Sequence, residues 1–354
     1  MTGALKSTYA GKSVLVTGHT GFKGVWLTAW LARMGAKVSG LALAPQTPFY
    51  DAVRLDGDCS PVIGDIRERR LVADVFTAYS PEIVFHMAAQ SLVGASYDDP
   101  AGTFETNLLG TVNVMEAARH CKSVRALVMV TTDKVYRNTG STGSDGGYRE
   151  GDPLGGNDAY SASKACAEIS AHAYRRAFFE PAGVALATAR AGNVIGGGDW
   201  AARRLVPDFV RAIETGRPLV IRRPDAVRPW QFVLEPLRGY LELGRALLEA
   251  NGEASSAFNF GPDMADAIAV RDLAAKIVRA WGAGEVVEKP ETADFHEERI
   301  LFLDAGKAAA VLGWKPRLDV DAALRRTVAW YKGYADNPGK ARDLILGEID
   351  AYDV

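Results

Sequence analysis

Two side chains with complementary chemistry lie four positions apart near the middle of the chain. Tyr160 and Lys164 occur in the segment Y-S-A-S-K, and this spacing places both on one face of a helix. A neighbouring ammonium lowers the pKa of a phenol from its usual value of about 10. The phenolate can then take the proton of a substrate hydroxyl. The pair therefore predicts a general base, although Y-x-x-x-K alone also occurs by chance.

A hydroxyl, an acid and an amine follow one another after an apolar segment. Residues 125–131 read R-A-L-V-M-V-T and are followed by Thr132, Asp133 and Lys134. Ligands of open parallel sheets bind beyond the carboxyl ends of the strands. This triplet is therefore a second candidate catalytic group. The alternative is a solvated loop with an Asx turn.

A glycine-rich turn lies close to the N-terminus. The segment G-H-T-G-F-K-G directly follows the apolar run Ser13–Thr17 and opens a helical pattern. Glycines at this spacing allow the backbone to approach a pyrophosphate, which the free N–H groups of the helix then bind. The alternative is a tight turn without a ligand. The turn predicts a dinucleotide site made by Gly18, Thr20, Gly21, Phe22, Lys23 and Gly24.

The adenosine half of that site is less conventional. Ala42 stands where dinucleotide-binding proteins commonly place an acid for the ribose. No arginine stands there for a 2′-phosphate either, so NAD rather than NADP is the predicted cofactor. Asp65 and Ile66 are candidate adenine contacts, and a simple helix N-cap is the alternative role for Asp65.

Strand-like and helical segments alternate through the first half of the chain. Short connections between them predict an α/β fold with a doubly wound, Rossmann-type parallel sheet. Uninterrupted apolar strands indicate a sheet covered on both faces. The predicted strands are Ser13–Thr17, Lys37–Leu43, Val62–Ile63, Glu82–Phe85, Arg125–Thr131 and Gly183–Ala189, and the predicted helices are Phe22–Met34, Glu68–Tyr79, Ala101–Arg119 and Tyr160–Phe179.

The pattern changes after residue 190. Prolines and the triple glycine Gly196–Gly198 divide the chain into short pieces. Residues 203–228 contain seven arginines and three acids, a local charge of +4. We predict an NAD-binding Rossmann domain over 1–190, to which segments around 231–262 return. Residues 191–354 are then mainly a smaller, mixed α/β substrate lobe interleaved with it. The Gly/Ser-rich segment Asn138–Gly147 predicts a surface loop.

Composition excludes several classes of function. Lys+Arg 41 against Asp+Glu 43 gives a net charge of −2, which offers no general attraction for nucleic acid or an anionic membrane. No apolar run reaches the ~18 residues of a membrane span, and the N-terminus lacks a signal-peptide core. The three cysteines show no metal-binding or disulfide spacing. A cytoplasmic protein without a metal site is expected.

Taken together, these motifs resemble the extended short-chain dehydrogenase/reductase family, and within it the nucleotide-sugar 4,6-dehydratases. The resemblance extends over most of the chain. It is carried by G-H-T-G-F-K-G (18–24), F-H-M-A-A-Q (85–90), T-T-D-K (131–134), G-Y-R-E-G-D-P-L-G-G (147–156), Y-S-A-S-K (160–164), R-A-G-N-V-I-G-G-G-D-W (190–200) and R-P-W-Q-F-V-L-E-P-L (228–237).

The resemblance implies a three-stage reaction with bound NAD. Tyr160 removes the proton of the sugar hydroxyl at carbon 4 while hydride passes to NAD, with Thr132 bonded to that oxygen and Lys164 holding the tyrosinate and the nicotinamide ribose. Asp133 is then the acid and Lys134 the base for loss of water across carbons 5 and 6, and hydride returns to carbon 6. Burial would have to raise the pKa of the acid and lower that of the base.

The resemblance also implies the remaining contacts. Lys134, rather than a glutamate, favours a CDP-hexose as substrate. The further cofactor residues are Ala88, Ala89, Gln90 and Asn107, and the candidate substrate residues are Ser91, Asn193, Trp200, Arg203, Arg204, Arg228 and Trp230. A solvated surface role is the alternative for each arginine.

Assembly and competing functions follow from the same comparison. The helices at 101–119 and 160–179 suggest a homodimer or a tetramer of dimers, by analogy. A 4-epimerase, or a dehydratase of another nucleotide-hexose, is the alternative enzyme. An epimerase needs Tyr160 and Lys164 but not Asp133 and Lys134. A non-catalytic NAD-binding protein would need neither pair.

Overall fold

The computed structural model describes residues 3–138, 147–249, 254–289 and 301–353. The loop predicted at Asn138–Gly147 lies outside the described residues apart from its two ends. Within the described ranges, no helix is both long enough and apolar enough to cross a bilayer.

Twelve strands are described, and seven of them form one sheet. Their bounds are β1 Ser13–Thr17, β2 Lys37–Ala42, β3 Cys59–Ile63, β4 Ile83–His86, β5 Ala126–Val130, β6 Ala185–Ala191, β7 Asn193–Ile195, β8 Leu219–Ile221, β9 Val227–Phe232, β10 Ala257–Phe260, β11 Ala267–Ala269 and β12 Val286–Glu288.

The large sheet has the strand order β10-β6-β5-β4-β1-β2-β3, and every neighbouring pair is parallel. The order reverses between β1 and β4, which leaves a crevice at their carboxyl ends where ligands of this sheet type bind. Small sheets of β11-β9-β7 and β12-β8 lie in the later part of the chain. The predicted Rossmann-type α/β fold is confirmed.

Helices cover both faces of this sheet. The α-helices within the described ranges are α1 Gly3–Tyr9, α2 Phe22–Arg33, α3 Phe49–Val53, α4 Arg69–Tyr79, α5 Val93–Asp98, α6 Pro100–Phe104, α7 Thr111–His120, α8 Ala159–Tyr174, α9 Leu205–Glu214, α10 Leu234–Leu248, α11 Val270–Trp281, α12 Gly306–Leu312, α13 Val320–Asp336 and α14 Ala341–Tyr352.

The strand residues alternate between two cores. Val14 and Val16 of β1 join the core that α2 and α10 cover, whereas Leu15 joins the core that α4 and α7 cover. Because both faces of the strand are buried, an apolar residue is needed at every position, which explains the uninterrupted apolar runs in the sequence.

The two long helices contain wider turns than an α-helix. The predicted helix Ala101–Arg119 is built from α6, a π-helical turn at Glu105–Gly110 and α7. The helix predicted at Tyr160–Phe179 is α8 followed by a π turn at Arg175–Phe179. Such turns recur at functional sites because they redirect one side chain out of the helical register.

The triple glycine is a site of close packing. A Cβ at Gly197 would lie 1.9 Å from the ring of Trp330, and one at Gly198 would lie 2.2 Å from the ring of Phe49. Gly198 also has a φ of +84°. Aromatic rings from α3 and α13 therefore pack directly on this backbone.

Segments that follow residue 190 contribute to the large sheet. Strand β10 extends its edge beside β6, and residues of α10 such as Leu237 and Leu241 lie in the core beneath it. The division into an NAD-binding part and a substrate-binding part stays a prediction.

Candidate active site

The glycine-rich turn joins β1 to α2 at the crevice of the sheet. Gly18 has a φ of +77°, and a Cβ there would lie 2.8 Å from the backbone nitrogen of Ala88. A Cβ at Gly24 would lie 2.0 Å from the carbonyl oxygen of Gly18. The two loops that follow β1 and β4 therefore touch through bare backbone, as the motif predicts.

The N-terminus of α2 is available to an anion. Gly21 is the N-cap of this helix of 12 residues, and no side chain caps it. The hydroxyl of Thr20 is turned away, since it donates to the carbonyl of Leu43 at 3.0 Å. Free N–H groups at a helix N-terminus bind phosphate groups well. These residues thus fit the pyrophosphate of a dinucleotide.

Asp65 is engaged by a neighbouring arginine. Its carboxylate accepts hydrogen bonds from Arg67 at the backbone nitrogen (2.8 Å), Nε (2.9 Å) and Nη2 (2.7 Å). These bonds hold the pKa of Asp65 below its usual value. Helix α4 takes Glu68 as its N-cap, so the alternative role of Asp65 as that N-cap is wrong.

Ile66 contributes its side chain to packing. It is 4% exposed, and a Cβ at Gly110 would lie 2.7 Å from its Cδ1 atom. The contacts of Asp65 and Ile66 with an adenine ring stay predictions.

The loop after β4 is clamped by the π turn. Asn107 is fully buried, and its side chain accepts from the backbone nitrogen of Gln90 at 2.8 Å and donates to the Gln90 carbonyl at 2.9 Å. Asn107 also donates to Ser163 Oγ at 3.0 Å, next to Lys164 on α8. The side chain of Gln90 is itself bonded to Thr103. Both residues therefore fix the backbone of 88–90 beside the glycine turn, and Ser91 follows at an exposed position.

Tyr160 and Lys164 lie on the first two turns of α8. They are 8% and 5% exposed, and Lys164 Nζ donates to the carbonyl of Val130 at 3.1 Å. Burial lowers the pKa of Lys164 to about 8. Burial raises the pKa of Tyr160 to about 12, while a hydrogen bond with Thr132 acts against that rise. Loss of solvent thus outweighs the charge of Arg204 on this phenol. The predicted lowering of the pKa also depends on the positive charge of a nicotinamide ring and stays a prediction.

The start of α8 is set by its own sequence. Asp158 is the N-cap, and its carboxylate accepts from the backbone nitrogen of Ser161 at 2.9 Å and from its hydroxyl at 2.6 Å. A carboxylate at this position satisfies free N–H groups and interacts favourably with the helix dipole. Tyr160 consequently sits in a well-defined first turn.

Asp133 is enclosed at the end of β5. It is 4% exposed, and Thr132 Oγ1 donates to its Oδ1 atom at 2.9 Å. A Cβ at Gly192 would lie 2.8 Å from its Oδ2 atom. Burial raises the pKa of Asp133, with the charges of Lys134 and Arg228 acting in the opposite direction. The direction is the one that a general acid requires.

Lys134 is more open than its neighbour. It is partly buried and borders a small, open depression that Asn157 and Asp158 also line. The acid and the amine of this loop therefore face different surroundings, although they are adjacent in sequence.

Two of the three candidate arginines lie near this cluster. Arg228 is 6% exposed and acts electrostatically on Asp133. Arg204 donates to Asp199 at 2.9 Å and acts on Tyr160. Arg203 is exposed and has a φ of +63°, an uncommon backbone conformation for a residue with a side chain.

The two candidate tryptophans have different surroundings. Trp230 is 7% exposed and pairs in register with Asn193 between β9 and β7. Trp200 packs edge-on against Tyr331 with the ring centroids 5.4 Å apart, and near Tyr334. Trp200 therefore joins an aromatic cluster with α13 rather than forming an open stacking wall.

Comparison with known proteins agrees with this geometry. A family model described as GDP-mannose 4,6 dehydratase matches residues 15–327. The chain belongs to this family.

Three relatives show how far the similarity extends. A CDP-glucose 4,6-dehydratase of Salmonella typhimurium is 45% identical over 336 residues, covering 93% of each chain. An epimerase from Methanothermobacter thermautotrophicus superposes with a TM-score of 0.82 at 26% identity, over 95% of this chain and 96% of that one. A dTDP-glucose 4,6-dehydratase from Streptomyces venezuelae, solved with NAD bound, superposes with a TM-score of 0.78 at 28% identity, over 94% of this chain and 99% of that one. The family and enzyme class predicted from the sequence are confirmed.

Sequence reasoning overlooked a buried acid beneath the catalytic pair. Glu168 accepts hydrogen bonds from Thr131 at 2.5 Å, Thr188 at 2.7 Å and Arg190 at 2.7 Å. Its charge raises the pKa of Lys164 against the effect of burial. Glu168 follows Lys164 by four positions, so the same helix-face argument could have found it.

Sequence reasoning also treated Lys23 only as part of the glycine turn. Its Nζ atom lies 3.3 Å from the hydroxyl of Tyr240 on α10. Lys164 and Arg204 disfavour its charge and Asp133 favours it. The ammonium therefore lies near the candidate catalytic residues, which no local spacing could indicate because Tyr240 is 217 residues away.

Proposed function

We propose that this protein is an NAD-dependent CDP-glucose 4,6-dehydratase, which forms CDP-4-keto-6-deoxy-D-glucose for deoxysugar biosynthesis. The observation that carries the proposal is the buried Asp133 beside Lys134, on the loop that also bears Thr132 and faces Tyr160. The relative with 45% identity supports the choice of sugar nucleotide. Lipopolysaccharide or another surface glycan is the proposed destination of the sugar, and a cytoplasmic location stays a prediction.

The glycine turn and the N-terminus of α2 would hold the cofactor. Gly18, Gly21 and Gly24 leave the backbone open to the pyrophosphate, and Lys164 is placed to hold the nicotinamide ribose. NAD, when bound, supplies a hydride acceptor and returns the same hydride within one turnover. A relative of this family binds NAD. The close approach between the backbones of the glycine turn and the loop after β4 in this chain is compatible with the same cofactor.

Tyr160 is the base for the hydroxyl at carbon 4. Its phenolate takes that proton, and Thr132 bonds to the sugar oxygen. Positive charge must offset the burial that raises the pKa of Tyr160 to about 12. Arg204 already acts in that direction, and the nicotinamide ring adds a further positive charge.

Asp133 and Lys134 carry out the loss of water. The carboxyl of Asp133, whose pKa is raised by burial, is the proposed proton donor to the departing hydroxyl at carbon 6. The amine of Lys134 is the proposed base for the proton of carbon 5, which the ketone at carbon 4 makes acidic. Each proton transfer of this kind contributes roughly 10²–10⁴ in rate.

The arginines and the small sheet would bind the sugar nucleotide. Arginine forks suit diphosphate oxygens. Arg228 acts electrostatically on Asp133, and Arg204 acts on Tyr160. Arg203, Asn193 and Trp230 complete the proposed subsite.

A homodimer through the long helices is also proposed. Leu109 in the π turn is 55% exposed, Ile169 on α8 is 58% exposed and Tyr97 on α5 is 44% exposed. Apolar side chains exposed on neighbouring helices are typical of a contact between subunits.

A 4-epimerase is the competing function, since an epimerase has a similar fold. Incubation with CDP-, dTDP-, GDP- and UDP-glucose, followed by alkali treatment, measures the 4-keto chromophore. We expect it with CDP-glucose, and a loss of about 10²–10⁴ in Asp133→Asn and Lys134→Met but none in the surface variant Lys122→Met. Formation of a 4-epimer without chromophore would favour the epimerase. Full dehydration by Lys134→Met, or no reaction with any of the four, would refute the proposal.

A further inference from the structure

The turn of residues 132–135 carries the acid–amine pair, and a residue on each side of it binds the same buried ion pair. Before the turn, Thr131 Oγ1 donates to Glu168 Oε1 at 2.5 Å. After the turn, the hydroxyl of Tyr136 accepts from Arg190 Nη1 at 2.7 Å. Arg190 Nη2 in turn donates to Glu168 Oε2 at 2.7 Å. The two ends of the turn are therefore joined through four side chains, which we call the clasp: Thr131, Glu168, Arg190 and Tyr136.

The clasp is shielded from solvent. Glu168 and Arg190 are 4% and 3% exposed, and Tyr136 is 1% exposed. Separating a buried ion pair leaves each charge uncompensated, so the two groups stay together. The phenol is also held from its other side, because it donates to Asn259 Oδ1 at 2.7 Å and its ring stacks on that of Tyr148 with the centroids 4.9 Å apart. Each end of the turn is thus bonded to side chains that are fixed in the core.

The clasp also connects the two sets of candidate catalytic groups. Glu168 lies on α8 four positions after Lys164, on the helix that also carries Tyr160. Burial lowers the pKa of Lys164, and the charge of Glu168 opposes that change. The clasp therefore attaches the turn at the end of β5 to the helix that carries the proposed base for oxidation.

We propose that the clasp holds the 132–135 turn in the geometry that loss of water requires, with Thr131 and Tyr136 as positioning residues. The inference rests on the proposed function, since it needs an elimination that follows oxidation at carbon 4. In the proposed elimination, Lys134 takes the proton of carbon 5, and the electron pair of the C5–H bond forms the double bond to carbon 6. The hydroxyl at carbon 6 leaves as water with the proton of Asp133.

Elimination depends on the turn more strictly than oxidation does. Two groups of the turn must reach two different atoms of the sugar at once, whereas oxidation uses Tyr160 on α8 and one hydroxyl of the turn. Proton transfer needs the donor and the acceptor within hydrogen-bond reach, and a displacement of about 1 Å can cost about 100-fold in rate. Loosening one end of the turn should therefore slow the loss of water more than the oxidation.

Variants that delete a hydroxyl test the clasp without removing a buried charge. Thr131→Val and Tyr136→Phe are the clasp variants, and each keeps the size of its side chain. Thr188→Val is the matched control, because Thr188 Oγ1 also donates to Glu168, at 2.7 Å, but lies on β6 outside the turn. Thr131→Val and Thr188→Val lose equivalent buried bonds, so thermal unfolding should show that both are folded and similarly destabilised.

Steady-state kinetics with CDP-glucose deuterated at carbon 4 or at carbon 5 identify the stage that each variant slows. We expect kcat of the clasp variants to fall about 10- to 100-fold with KM unchanged, and Thr188→Val to keep the wild-type kcat. The isotope effect of the carbon-5 label should increase in the clasp variants, and that of the carbon-4 label should decrease. A loss of folded protein alone would lower the rate without changing which C–H bond limits it.

Amide hydrogen exchange tests the same geometry without substrate. Two backbone nitrogens of the turn bond to Thr132 at 3.4 Å, and their exchange reports whether the turn stays closed. Exchange of peptides covering residues 132–135 should become faster in both clasp variants and stay at the wild-type rate in Thr188→Val.

Two results would overturn the proposal. Equal kcat and equal exchange in the clasp variants and in Thr188→Val would mean that the ion pair serves stability alone. A carbon-4 isotope effect that increases in the clasp variants would mean that the clasp acts on oxidation instead. If the wild type does not convert CDP-glucose, the proposed substrate fails, and the exchange comparison still decides whether the clasp holds the turn.

Discussion

Replacing Gly24 by alanine gives a quantitative test of the cofactor turn. The new Cβ would lie 2.0 Å from the carbonyl oxygen of Gly18 and 2.8 Å from the Cα atom of His19. Both are backbone atoms, so no side-chain rotation relieves the contact. Separations under 3.0 Å essentially do not occur for real Cβ atoms, and α2 must therefore move about 1 Å away from β1. We expect the free energy of unfolding to fall by about 3 kcal/mol, the upper end for overpacking.

Gly21 supplies the matched control on the same turn. A Cβ at Gly21 would lie 3.4 Å from the carbonyl oxygen of Gly18, and its φ of −81° suits alanine. Alanine is a poorer N-cap than glycine, which lowers the free energy of unfolding, but it makes the unfolded chain less flexible, which raises it. Each effect amounts to about 0.5–1 kcal/mol. Gly21→Ala should therefore leave stability unchanged, although its methyl group obstructs the approach of a pyrophosphate.

Urea unfolding with and without NAD separates the two effects. Without NAD, Gly24→Ala should unfold at lower urea than wild type, and Gly21→Ala at the same concentration. With NAD at about 100 times the wild-type dissociation constant, wild type should gain about 2.7 kcal/mol and both variants much less. An unchanged midpoint for Gly24→Ala without NAD would refute the close backbone packing on which the cofactor site depends.

Two further outcomes follow from buried groups. Burial lowers the pKa of His19 to about 4 and that of His86 to about 3. Below pH 6.5, the usual pKa of histidine, these two side chains therefore take up protons in the unfolded chain but not in the folded one. The contribution of each histidine to the free energy of unfolding is fully present above that pH, and about 2 kcal/mol of it should be lost between pH 7 and pH 5. In urea titrations at these two pH values, His86→Asn should lose less unfolding free energy than wild type. An equal loss in the two proteins would contradict the assignment to His86. Glu168→Gln leaves Arg190 buried without a countercharge and should lower the free energy of unfolding by about 3–5 kcal/mol, measured in the same way, whereas a change below 1 kcal/mol would mean that the pair is not buried in solution.

The six strands predicted before residue 190 could be located because each follows a local pattern. The strand at Ser13–Thr17 matches its prediction residue for residue, since an apolar run between turn-forming residues has one favourable conformation in a covered sheet. The candidate catalytic residues were also identified from local patterns. Tyr160 and Lys164 lie four positions apart on one helix, and the acid–amine pair follows one strand.

Some contacts could not be predicted because they join residues that are distant in sequence. Trp330 and Phe49 lie against Gly197 and Gly198. Asn107, in the π turn of its helix, bonds to the backbone of Gln90. No local periodicity contains either contact, because each partner arrives through the tertiary fold.

Burial, which is a property of the whole fold, raises the pKa of Tyr160 and could not be predicted from the local spacing. The Y-x-x-x-K spacing specifies that Lys164 is near, and nearness of a cation alone favours the phenolate. The structure shows that Lys164 donates to Val130 and that solvent is excluded from both groups. Desolvation then dominates, and it acts on the ammonium and on the phenol alike.

The same exclusion of solvent has opposite consequences for the two groups that would exchange protons with the sugar in the proposed reaction. Asp133 must be neutral to donate, and burial raises its pKa as the reaction requires. Tyr160 must be anionic to accept, and burial raises its pKa against the requirement. A positive charge that lowers the pKa of Tyr160 also lowers the pKa of Asp133 if it lies near both. The position of each positive charge therefore matters more than their number. Arg204 acts on Tyr160, and Arg228 acts on Asp133. Moving a positive charge from the position of Arg204 to that of Arg228 would therefore slow both proton transfers, although the net charge of the cleft would stay the same.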